Sequence, residues 1–169
     1  MKRPLVASVV AAGVFAVGGL ALAGTTQFRS HLDTANEIPT PVNVVGDPEA
    51  VVKLKLAPDG QSARFDLKIT SPITNVLQAH LHMAPAGQTG GIVVWLYPSG
   101  PPAQLIPGET VGHLATGVIT EANLVNALAG NWDGFVAALE AGNIYANVHT
   151  TANPPGEIRD QVHFHPGED

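Results

Sequence analysis

Ala79-His80-Leu81-His82-Met83 places two imidazoles one residue apart in an apolar run, and Ala84-Pro85-Ala86-Gly87 turns the chain directly after it. In an extended chain, residues i and i+2 share a face roughly 7 Å apart at Cα, so both rings can converge on one ion. A third histidine closes a second strand-like run, Asn143 to His149, in which Tyr145, Asn147 and His149 lie opposite Ile144, Ala146 and Val148. Neutral imidazole suits copper or zinc, and three such ligands leave a position for water or a small anion. The expected metal site is therefore His80, His82 and His149, with His163 as the fourth contributor. Proton competition should weaken such a site as pH falls through the imidazole range near ~6.5. A plainer reading of the same residues is that the rings hydrogen-bond neighbouring Thr, Asn or carbonyl groups on the wet face of a sheet. His163-Phe164-His165-Pro166 reads either as a weak copper or nickel site or as a solvated chain end, while His31 and His113 stand alone.

The elements that must carry these rings are mostly strands. Ala50 to Leu56 alternates, with Val52, Leu54 and Leu56 opposed to Val51, Lys53 and Lys55, and Pro58-Asp59-Gly60 turns the chain. Ala63 to Ile69 returns with Ala63, Phe65, Leu67 and Ile69 inward and Arg64, Asp66 and Lys68 outward, which predicts a hairpin with one wet face. Gln78 to Met83, Ile92 to Leu96, Gly112 to Ile119, Asn143 to His149 and Glu157 to Phe164 are further strand-like runs bounded by Gly or Pro. Short strands at this spacing predict an antiparallel sandwich, with Phe65, Leu67, Leu81, Val94, Ile144 and Val148 in its core. Thr120 to Leu128, opening on a Thr cap, and Phe135 to Ala141, capped by Asp133 and stopped by Gly142, predict short crossover helices.

Residues 1–23 have the form of an export signal: a basic start at Lys2 and Arg3, an apolar run from Leu5 to Leu22, and the small-residue site Ala21-Leu22-Ala23. An uncleaved membrane anchor is the alternative reading of that run. Cleavage after Ala23 leaves one domain, 24–169, with no stable membrane span and a secreted or periplasmic location. It removes Lys2 and Arg3 and no acid, taking the formal charge from −6 to −8. An acidic domain without a basic run is a poor ligand for nucleic acid. The chain has no cysteine, so a hydrophobic core, with metal as a possible aid, has to stabilise it without disulfides.

Several separated segments then occur in a recognisable order. They are Asn36-Glu37-Ile38-Pro39, Asp59-Gly60, the run from Ala79 to Val94, Tyr145-Ala146-Asn147-Val148-His149-Thr150, and Pro155-Gly156-Glu157-Ile158-Arg159. In this the chain resembles the CHRD domain, named for chordin, from about Phe28 to Val162. The resemblance implies an all-β, immunoglobulin-like or superoxide-dismutase-like antiparallel β-sandwich. Glu157 and Arg159 are candidates to orient a ring N–H or an approaching anion behind the metal ligands. Glu37 is expected to capture backbone N–H groups at a corner or to pair with Arg159; a role as catalytic carboxylate has little behind it. Three functions follow: an exported module binding an extracellular protein or ligand, a copper or zinc carrier or sensor, and, ranked last, a metal-dependent redox enzyme. Nothing in the chain resembles a nucleophile elbow.

Overall fold

Alternation builds the first half of the molecule. The computed structural model describes residues 26–166, so the export segment read at 1–23 lies outside the described residues. Strands β1 (Gln27–Leu32), β2 (Glu49–Leu56) and β3 (Ala63–Met83) pair antiparallel in that order. Phe28, Val52, Leu54, Phe65 and Leu67 are buried on one face, and Lys53, Lys55, Arg64 and Lys68 are exposed on the other. The predicted hairpin is present, but β1, whose partners the sequence pattern did not suggest, extends it at the edge.

The runs read as two strands, Ala63 to Ile69 and Gln78 to Met83, are one 21-residue strand. Ser71-Pro72 does not end it. The ladder to β5 (Ile106–Ile119) shifts register between Ile69 and Ile73, so Pro72 stands where no N–H is needed. The first part of β3 lies between β2 and β5, and its last part between β4 (Ile92–Tyr97) and β6 (Ile144–Thr150). The run Glu157 to Phe164 divides at buried Val162 into β7 (Ile158–Gln161), beside β6, and β8 (His163–His165), beside β1. The path β7-β6-β3-β2-β1-β8 thus nearly closes on itself, and a bridge between Asp33, just after β1, and Arg159 of β7 spans the gap.

Phe65, Leu67, Leu81, Val94, Ile144 and Val148 all lie in the core inside this curled antiparallel sheet. The expected helix at Thr120 to Leu128 is instead two short 3-10 turns, Glu121–Asn123 and Asn126–Leu128. Asn123 Oδ1 draws the Thr120 N–H back and tightens the first turn. The helix α1 (Trp132–Glu140) begins three residues earlier than predicted, because Asn131 rather than Asp133 caps it, its side chain accepting from the Gly134 N–H at 2.9 Å. Gly142, at φ 68°, ends that segment as expected.

Candidate metal centre

Register decides which side chains meet. On paired strands Gln78 stands opposite His149, His80 opposite Asn147 and His82 opposite Tyr145, so one sheet face carries all three histidines. Their ring centroids are 4.9 Å apart for His80 and His149, 5.5 Å for His80 and His82, and 5.7 Å for His82 and His149. One nitrogen from each ring lies within 4.8 Å of the others.

The face is not wet, as the alternation had implied. His80 is fully buried and His82 and His149 are only 7% and 4% exposed. The turn after β3 folds back over His82: the Gly90 carbonyl accepts from His82 Nδ1 at 3.0 Å, and the Gly90 N–H donates to the Tyr145 hydroxyl at 3.1 Å. Gly90 permits this approach, since a Cβ there would overlap the Met83 carbonyl oxygen. On the other side the Pro154 carbonyl accepts from His149 Nδ1 at 3.0 Å. Trp95 meets the His80 ring edge-on at 4.3 Å, and Tyr145 stacks on His82 at 4.9 Å.

These contacts set the tautomers. A carbonyl oxygen only accepts, so Nδ1 carries the proton in His82 and His149, and each Nε2 presents a lone pair. His149 Nε2 lies 3.1 Å from His80 Nδ1, which must then donate. The Nε2 atoms of His80 and His82 are buried without a hydrogen-bond partner. Burial, reinforced by the other rings, pushes the His80 pKa down to about 2, and burial with the His82 charge takes His149 to about 4. His82 is lowered as well, by burial first and the Arg159 charge second, against the Gly90 hydrogen bond. The site therefore holds three neutral imidazoles, the state in which imidazole binds metal: the Nε2 lone pairs of His80 and His82 meet no donor, and that of His149 meets only the His80 ring.

The residues expected behind the ligands act differently from the reading above. Backbone carbonyls of Gly90 and Pro154, not Glu157, orient the rings. Sequence cannot single out a carbonyl, because every residue has one. Glu157 Oε2 accepts from Thr150 Oγ1 and Asn153 Nδ2, closing the turn that carries Pro154. The Arg159 guanidinium lies 4.7 Å over the Tyr145 ring, behind the face that stacks on His82. His163 stands apart: β8 pairs with β1, which leaves its ring exposed and outside the three-histidine group.

Glu37 is buried beside Asn147. Its Oε1 accepts from the Ile38 N–H at 2.9 Å, as expected of a corner, and from Asn147 Nδ2 at 3.4 Å, while Oε2 has no partner. No ion pair to Arg159 forms. Burial raises the carboxyl to about 7 despite the Ile38 N–H, the Arg159 charge and Asn147. Gly156, at φ 144°, allows the close packing, because a Cβ would collide with both Asn147 and Glu37.

The CHRD domain model matches residues 28–162, a span that includes the rings, Glu37 and Arg159. The chain belongs to the CHRD domain family. Membership agrees with the all-β architecture and marks the chain as a β-domain interaction module. No curated protein and no solved structure matches the chain. No helix among the described residues is long and apolar enough to cross a membrane.

Proposed function

We propose that this CHRD domain is an exported module that binds one copper or zinc ion through His80, His82 and His149. The observation that carries the proposal is the set of three neutral, buried imidazoles with nitrogens within 4.8 Å. In tetrahedral zinc, metal–nitrogen bonds of about 2.0–2.1 Å put ligand nitrogens about 3.3 Å apart. The separation of His80 Nδ1 and His149 Nε2, 3.1 Å, is already close to that, and an ion held there would take the place of the hydrogen bond between them, with the His80 proton on Nε2. A purely structural polar cluster would instead be expected to satisfy the Nε2 atoms of His80 and His82. Burial supports retention of an ion over turnover of a substrate, since Tyr145, Trp95 and the Gly90 turn crowd the rings. Export supports access to the ion outside the cytoplasm, and the reading of residues 1–23 supports export.

The test is metal analysis and calorimetry on purified protein stripped and reloaded with Cu(II) or Zn(II). One equivalent should bind. Each of His80→Ala, His82→Ala and His149→Ala should weaken binding by at least about tenfold, a loss of about 1.4 kcal/mol, while His163→Ala should leave it unchanged. Metal content independent of all three rings would rule the site out.

A further inference from the structure

Six lysines and arginines fall within the described residues, and five of them, Arg29, Lys53, Lys55, Arg64 and Lys68, lie on one face of the sheet formed by β1, β2 and β3. They never form a run in sequence because each alternates with an inward apolar residue. Cross-strand register assembles them. His163, Arg29, Lys53, Asp66 and Thr116 form one row across β8, β1, β2, β3 and β5. His165, Gln27, Lys55, Arg64 and Val118 form the next. His31, Val51, Lys68 and His113 form a third. All four histidines outside the buried cluster thus stand on this face, exposed. Its acids include Asp66, paired with His113 at 2.9 Å, Glu49 at the start of β2, and Asp160 at the β1 margin. The molecule as a whole carries −6, so the concentration of cations here runs against its overall charge.

We infer that this face binds an acidic polysaccharide, a linear glycan bearing carboxylate or sulfate groups. Adjacent strands lie about 4.8 Å apart, and same-face residues within a strand about 7 Å apart, so the cations form a flat grid with sparse charge. That spacing suits one anionic group per sugar ring. Duplex nucleic acid presents a charge every ~1.7 Å and would leave most phosphates unmatched. A membrane would need large side chains to insert, and the exposed apolar residues that β5 offers on this face, Val111 and Val118, are short. Lys53, Lys55, Arg64 and Lys68 are free to reach a ligand because each is exposed.

Binding of the purified protein to polygalacturonate and to dextran sulfate should be measured by calorimetry, alongside duplex DNA and phosphatidylglycerol vesicles. The glycans should bind, more weakly as salt rises. Lys53→Glu/Lys55→Glu/Arg64→Glu should weaken binding by at least about tenfold. Lys53→Gln/Lys55→Gln, a milder change, should weaken it less, and Gln88→Glu/Gln104→Glu, which alters net charge equally at exposed sites off this face, should not. Thermal unfolding of each variant separates lost binding from lost folding. No glycan binding, binding that the Gln88→Glu/Gln104→Glu control weakens as much, or tighter binding to DNA or vesicles than to either glycan would overturn the inference. The histidine variants above test the metal centre separately, since neither site shares a residue with the other.

Discussion

The two ends of β3 obey the same alternation and meet opposite surroundings. From Ala63 to Ile69 the inward residues are buried and Arg64 and Lys68 face water. From Ala79 to His82 both faces are buried, Leu81 in the apolar core and His80 and His82 beneath the Gly90 turn and Tyr145. Alternation states which residues share a face. What covers that face is decided by segments distant in sequence, and the difference turns one polar face into a charged surface and the other into a ring cluster held neutral.

The largest effect should separate core from surface at the first end of the strand. Leu67 is fully buried, so Leu67→Ala should cost about 2–5 kcal/mol in denaturant unfolding. Gly90→Ala tests the cover over the second end. Its methyl group must displace the Met83 carbonyl or the turn, which should cost about 1–3 kcal/mol and loosen His82. A stability equal to the parent would show that the turn does not seal the histidines.

Acid distinguishes the two ends more selectively. His80 and His149 have folded pKa values of about 2 and about 4, below the 6.5 of an exposed ring. Above 6.5 the rings are neutral whether the chain is folded or not. As pH falls below 6.5, the unfolded chain takes up protons that the buried rings refuse. Stability should therefore drop by up to about 1.4 kcal/mol per pH unit for each ring, down to pH 4 for His149 and further for His80. Glu37 runs the other way. Raised from 4.5 to about 7, it keeps a proton that the unfolded chain loses, so it removes stability as pH rises through that window. Urea midpoints should fall from pH 7 to pH 4, and more steeply in Glu37→Gln; a flat profile would contradict the burial of the rings. The same neutrality moves proton competition for metal below the expected 6.5, so metal should be retained at pH 5.

Tyr145→Phe should have a smaller effect, about 0.5–1.5 kcal/mol, because the Gly90 N–H loses its acceptor while the stacking on His82 survives. Smallest of all is Lys68→Ala, which faces water at the first end and should change stability by less than about 0.5 kcal/mol. A larger loss there would mean that the outward face has a structural role as well as a charged one.

Much was legible in the chain because period-two alternation is local. It set the β2 to β3 hairpin, the six named core residues, the shared face of His80 and His82, and the matching face of His149. Local pattern misled where long-range pairing intervened. Pro72 looked like a strand end because its missing N–H is visible in sequence, whereas the register shift that makes the N–H unnecessary is not. His163 looked like a ligand by residue type, but pairing of β8 with β1 carries it to a part of the sheet away from the buried rings. Tertiary structure alone decided that the histidine face is dry, that the Gly90 and Pro154 carbonyls hold the ring protons, and that five scattered cations form one surface. Each depends on bringing together segments tens of residues apart, and no local propensity encodes the partner across that distance.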